Sequence, residues 1–144
     1  MKKVYENYVN GIKVLEYITE DGLKEGQESH WHMNGQKGYE HNNKEGQQEG
    51  QQLYWYENGQ KMYEYNYKDW QQDGQQLRWY ENGQKEYEGN FIKPKNRKKS
   101  KEDGLQIRWY ENGNKQYEGN YKMGKVISSI RWDEEGNVID RRNY

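Results

Sequence analysis

The chain has 144 residues, of which 30% are hydrophobic and 15% aromatic, with a mean hydropathy of −1.69 and a net charge of −1. That length fits one domain but offers too little aliphatic material for a two-layer globule, and 23 basic against 24 acidic residues give no overall pull towards nucleic acid or anionic lipid. With no cysteine there are no disulfides or thiolate metal sites, no apolar run approaches a membrane span, and the opening Met1-Lys2-Lys3-Val4-Tyr5 lacks a secretory apolar core, so a cytoplasmic location is expected.

Along the chain, glycines at 11, 35, 59, 83, 113 and 136 recur at steps of 24, 24, 24, 30 and 23, most of them in an Asn-Gly pair between two β-rich runs. A fixed period in this range marks a repeat architecture, and Asn-Gly between such runs marks a hairpin. The expected fold is therefore all-β: an elongated, single-layer antiparallel meander of about six hairpins of roughly 24 residues, each packing only on its neighbours. The units run about 1–24, 25–48, 49–72, 73–102, 103–125 and 126–144.

The opening unit keeps Asn10-Gly11 but has Asn7 where tryptophan is expected, and its aliphatics Val4, Val9, Ile12, Val14, Leu15 and Ile18 suit a terminal cap. The second, around Trp31-His32-Met33-Asn34-Gly35, carries Ser29, His41 and Asn43 in place of apolar groups. The third and fourth, around Trp55 and Trp79, fix the register. A three-residue loop at Glu81-Asn82-Gly83, with Gly83 left-handed, sets Trp79 opposite Lys85, Leu77 opposite Tyr87 and Arg78 opposite Glu86. The same loop sets Trp31, Trp55 and Trp109 opposite Lys37, Lys61 and Lys115. A two-residue turn would instead place Glu88 beside Leu77, a poor pairing.

Strand alternation then predicts a core face of tryptophans, aliphatics and Tyr39, Tyr63, Tyr87 and Tyr117, with lysine stems covering indole. The opposite face should carry Tyr54, Tyr56, Arg78, Tyr80, Arg108, Tyr110 and the column Glu16, Glu40, Glu64, Glu88, Glu118. Between the fourth and fifth units lies a basic insertion, Lys93-Pro94-Lys95-Asn96-Arg97-Lys98-Lys99-Ser100-Lys101, read as a solvated loop or as a contact finger for an acidic partner or phosphate backbone. The last unit regains aliphatics at Val126, Ile127, Ile130, Val138 and Ile139, a second cap.

No catalytic constellation appears: no serine elbow, no phosphate-cradling glycine loop, and carboxylates only in rows on an open sheet, where burial cannot raise a pKa for acid–base work. His30 and His32 share a strand face, but His41 is expected on the other, so no metal site forms and no cofactor is expected. Periodic surface remains. Tyr56, Tyr80 and Tyr110, Arg78 and Arg108, the acidic stripe Glu64, Glu88 and Glu118, and the basic Lys95, Arg97, Lys98 and Lys99 are the candidate partner-binding residues.

The units Trp-Tyr-Glu-Asn-Gly-Gln-Lys-x-Tyr-Glu-Gly-Asn-Phe/Tyr at 79–91 and 109–121 resemble the bacterial variant of the MORN repeat, over roughly residues 8–140. That resemblance implies β-hairpin units and a non-catalytic module like the antitoxin components of toxin–antitoxin or toxin–immunity pairs, which would neutralise a toxin or defence effector; a phage inhibitor of a defence nuclease fits the same scaffold. The compositional bias, with alanine absent and Lys, Asn, Glu and Tyr abundant, fits a bacterial or phage source. The alternatives are a nucleic-acid binder using residues 93–101 and exposed aromatics, or the membrane-surface and scaffolding role implied by the broader MORN family.

Overall fold

The computed structural model describes residues 1–95 and 99–144. Its strands are β1 (Lys2–Val9), β2 (Ile12–Glu20), β3 (Leu23–Trp31), β4 (Lys37–Lys44), β5 (Gln47–Trp55), β6 (Lys61–Lys68), β7 (Gln71–Gln72), β8 (Gly74–Trp79), β9 (Lys85–Ile92), β10 (Lys101–Trp109), β11 (Lys115–Lys122), β12 (Lys125–Trp132) and β13 (Val138–Asn143). They form one open antiparallel sheet in sequence order, with β7 a short lead-in paired to β6. There is no helix among the described residues, so none is long and apolar enough to cross a membrane.

Local chemistry sets the turns. At Glu81-Asn82-Gly83 the Gly83 amide donates to the Tyr80 carbonyl at 2.9 Å and the Tyr80 amide to the Gln84 carbonyl at 2.8 Å, which makes a three-residue loop with Gly83 at φ +85°. The Asn82 side chain does two jobs. Its oxygen accepts from the Gln84 amide at 2.9 Å, and its amide donates to the Glu111 carbonyl of the next loop at 3.0 Å. Asn34, Asn58 and Asn112 repeat both bonds, so a row of asparagines stitches one edge of the sheet. Between these loops Gly59, Gly83 and Gly113 each pass close against a glutamine of the preceding unit: a Cβ on Gly83 would stand 2.1 Å from Gln60 Oε1. The opening turn differs, because Asn10-Gly11 closes as a two-residue turn pairing Val9 with Ile12.

The expected opposition of tryptophan and lysine holds at Trp31–Lys37, Trp55–Lys61, Trp79–Lys85 and Trp109–Lys115. One residue further the expectation fails. Leu77 pairs with Glu88 and Arg78 with Tyr87, because Glu86 is an unpaired bulge residue; Gly38, Met62 and Gln116 bulge at the same place in the other units. One inserted residue moves every later side chain to the other face. Tyr39, Tyr63, Tyr87 and Tyr117 therefore share a face with Arg78 and Arg108, while the glutamates lie with the tryptophans.

A second bulge, on the four strands β3, β5, β8 and β10, has glycine in the left-handed region, as at Gly74 with φ +81°. A bulge strands backbone groups of the neighbouring strand, and buried glutamines answer them. Gln76 is 1% exposed, its amide donating to the Asn66 carbonyl at 2.9 Å and its oxygen accepting from the Asn66 amide at 3.2 Å. Gln52 and Gln106 likewise donate to the carbonyls of Asn42 and Asn90. Polar amides, with Tyr87 the one buried large hydrophobic, thus fill the tightest places among the described residues.

Candidate binding face

The tryptophan face is electrically self-contained. Lys61, Lys85 and Lys115 bond to Glu64, Glu88 and Glu118 at 2.8, 2.7 and 2.6 Å, an i to i+3 contact that the bulge makes possible. Each ammonium also stands over the indole of the next unit: Lys61 over Trp79, Lys85 over Trp109 and Lys115 over Trp132, at 5.6 to 5.8 Å from the ring centres. Lys13 and Lys37 repeat the arrangement on Trp31 and Trp55. The acidic stripe expected from the sequence is present as a column, but every member arrives already paired.

The other face is different. Residues opposed across consecutive strands run Tyr54, Tyr63, Arg78, Tyr87, Arg108, Tyr117, Arg131, so from β6 to β12 tyrosine and arginine alternate strand by strand. The Arg78 guanidinium lies 5.1 Å from the Tyr87 ring centre and that of Arg131 lies 5.7 Å from Tyr117. Arg78 is half-buried and keeps the bulge residue Glu86 at 3.9 Å. Arg108 and Arg131 are exposed, and neither has a carboxylate within ion-pairing distance among the described residues. Glu86 has become Gln116 in the next unit, and Asp140, opposite Arg131, is held at 2.9 Å by Arg142 instead.

Tyr56, Tyr80 and Tyr110 also lie on this face, and their hydroxyls are engaged. They donate to the carbonyls of Trp79, Trp109 and Trp132 at 2.9, 2.7 and 3.0 Å, one unit ahead, and His32 Nε2 meets the Trp55 carbonyl in the same way at 3.0 Å. Burial pushes the Tyr56 and Tyr80 hydroxyls upward, which keeps them protonated donors. These tyrosines are interunit ties, with ring edges left to the face.

Towards the N-terminus the same face is mostly aromatic, with Lys24 over the Tyr17 ring. His30, Tyr39 and His41 stack with centroids 5.0 and 4.2 Å apart, so the bulge brings His41 to the side of His30, against the expectation from alternation. Glu28, 5% exposed, lies under this stack. It accepts from Lys24 at 2.7 Å and from the Tyr39 hydroxyl at 3.1 Å. No group of three or more potential metal ligands forms among the described residues.

Of the basic insertion, Lys95 and Lys99 are exposed, while Arg97 and Lys98 lie outside the described residues. Its base is fastened, because Lys93 bonds to Asp69 through Nζ at 3.6 Å and to Asp73 through its backbone amide at 3.1 Å. Sequence reasoning missed Arg131, Gln116 and the buried glutamines. Arg131-Trp132 repeats the Arg-Trp step of residues 78–79 and 108–109, and that was the signal for the first.

Residues 48–69, 72–93 and 102–123 each match the MORN repeat variant family. Compared as a whole, the chain matches no curated protein. MORN repeats are generally non-catalytic binding modules, and the three matched segments cover the row from Tyr54 to Tyr117, with Arg131 beyond them.

Proposed function

We propose that the chain is a non-catalytic protein-binding module that holds an acidic surface of a partner protein against its tyrosine–arginine face and inhibits that partner by covering it. One observation carries the reading: on a molecule of net charge −1, whose glutamate column is already paired with lysine, exposed Arg108 and Arg131 stand beside Tyr87 and Tyr117 with no carboxylate in ion-pairing distance among the described residues. Tyrosine and arginine are, with tryptophan, the residues enriched among interface anchors: tyrosine presents large amphipathic area through few rotatable bonds, and arginine a planar fork of donors on an apolar stem. Neutralisation of a toxin or defence effector, in the cytoplasm of a bacterial or phage-infected cell, is the finer form of this proposal. It rests on the sequence resemblance. The test is capture from lysate by the chain and by an Arg108→Ala, Arg131→Ala variant, with the activity of whatever is captured assayed in the presence of each. A protein retained and inhibited by the first and released by the second is expected. Recovery of no specific protein sinks the proposal, and retention that is abolished by nuclease and falls steeply with salt would assign the face to nucleic acid.

A further inference from the structure

Two neighbouring hollows on the tyrosine–arginine face have the same construction and different contents. The first, about 250 Å³, lies between Arg78 and Arg108 beside Tyr87, is lined also by Gln116, and contains a carboxylate of the chain itself, Glu86, whose oxygen is 3.9 Å from Arg78. The second, about 390 Å³, lies between Arg108 and Arg131 beside Tyr117, with Gln116 where the first has Glu86. Arg108, Tyr117 and Arg131 are opposed across β10, β11 and β12, so the two arginine Cα atoms are about 10 Å apart, two strand spacings. The bulge residue of the last hairpin, Ile139, closes the second hollow with an aliphatic wall.

We infer that the hollow between Arg108 and Arg131 is a carboxylate pocket, and that it receives an acidic side chain of the partner in the place that Glu86 occupies one repeat earlier. The inference rests on the protein-binding reading above and names what the partner must present there. Three features select a carboxylate. A planar guanidinium fits two carboxylate oxygens side by side, the Gln116 amide can donate where Glu86 could only accept, and Ile139 offers apolar contact for the methylenes of a glutamate. Asp140 does not compete, since Arg142 holds it, and Tyr117 and Tyr121 share one hydrogen bond between their hydroxyls at 2.8 Å, which leaves one O–H of the pair able to donate to a carboxylate.

The test uses the intact chain and a fluorescein-labelled hexaglutamate peptide, followed by anisotropy, with hexaglutamine, inorganic phosphate and a ten-residue oligothymidylate as comparison probes. Gln116→Glu supplies an internal carboxylate of the kind Glu86 already provides, so it should fold like the parent and weaken hexaglutamate binding about tenfold. Glu86→Gln empties the first hollow and should strengthen binding severalfold. Gln47→Glu, on the exposed start of β5, makes the same charge change far from the pocket and should leave binding unaltered. Equal weakening by Gln47→Glu, equal binding of hexaglutamine, indifference to Gln116→Glu, or preference for phosphate or the oligonucleotide each overturns the inference. The two proposals separate cleanly. If Gln116→Glu still captures and inhibits the same protein, the pocket fails and the binding module stands; if the chain captures no protein but hexaglutamate binding follows the expected pattern, the reverse holds.

Discussion

The two halves of the molecule share one backbone plan but differ on the tyrosine–arginine face in two ways: His30 and Tyr54 are paired with the row tyrosines where Arg78 and Arg108 stand later, and the residue two after the tyrosine of each returning strand changes. In β4 and β6 that position is His41 and Tyr65, and the neighbouring tyrosines stand upright and stack on them, Tyr39 on His41 at 4.2 Å and Tyr63 on Tyr65 at 5.4 Å. In β9 and β11 it is Gly89 and Gly119, and the tyrosines fold down over the bare backbone, Tyr87 reaching Gln106 and Tyr117 reaching Tyr121. A ring lying flat opens room above it for a guanidinium. Glycine thus lets the ring lie flat beneath the arginines that replace the paired aromatics, and burial pushes the Tyr87 hydroxyl up to about 12, which keeps it a donor to the glutamine beneath.

The largest test of this difference is Gly89→Ala. Its Cβ would stand 2.1 Å from the Tyr87 hydroxyl and 1.9 Å from Gln106 Oε1, so a ring and a buried amide must both give way. The expected loss is about 3 kcal/mol, the upper part of the usual range for overpacking, measured by urea denaturation. His41→Ala, which removes a ring where Gly89→Ala adds a methyl, should cost about 1 kcal/mol, since that ring is only half-buried. Equal losses at both sites would show that glycine is not what lays Tyr87 flat.

This contrast was only half visible in the sequence. The loop and the opposition of tryptophan to lysine followed from turn chemistry, because Asn82 and Gly83 admit few alternatives. The bulge at Glu86 was hidden, since a strand read by strict alternation has no sign for one extra residue. The objection to pairing Leu77 with Glu88 was also too simple: Lys85 neutralises that glutamate, and the bulge is what lets it reach. The recurrent Lys-x-x-Glu spacing held the clue, as residues three apart on a regular strand face opposite ways. The buried glutamines were equally marked, by Gly50-Gln51-Gln52, Gly74-Gln75-Gln76 and Gly104-Leu105-Gln106. A polar residue in a core is intelligible only once the stranded carbonyl beside it is known.

Acid should divide the halves next. Burial lowers the His41 imidazole below its ordinary value near 6.5, opposed in part by Glu28; His30 is lowered by burial and by His32. His41 Nε2 is moreover buried without a hydrogen-bond partner among the described residues, so a proton added there finds no acceptor. With the folded pKa values below the unfolded ones, the unfolded chain binds more protons, and stability falls as pH drops below about 6.5 towards the folded values. The arginine half has no such group in its row. Hydrogen exchange at pH 7.5 and 5.5 should therefore show protection falling in β3 and β4 before β9 to β11. Glu28→Gln removes the charge that supports protonated His41 and should widen the window of acid sensitivity. Uniform loss along the sheet would contradict the assignment.

The smallest expected effect comes from Tyr80→Phe, yet it separates structure from recognition on the arginine side. The variant deletes one hydroxyl, the donor to the Trp109 carbonyl at 2.7 Å, and keeps the ring. A single neutral hydrogen bond of this kind contributes about 1 kcal/mol, and water can replace part of it because Tyr80 is only half-buried. A shift of that size in urea midpoint, with hexaglutamate binding unchanged, is what an interunit tie predicts. The matching change in the histidine half, His32→Phe, removes the contact to the Trp55 carbonyl and should behave alike. Were Tyr80→Phe to leave stability untouched and abolish binding, the hydroxyl would belong to the partner and not to the scaffold. The ties at Tyr56 and Tyr110 would then need the same reassignment, because the three bonds are copies of one another.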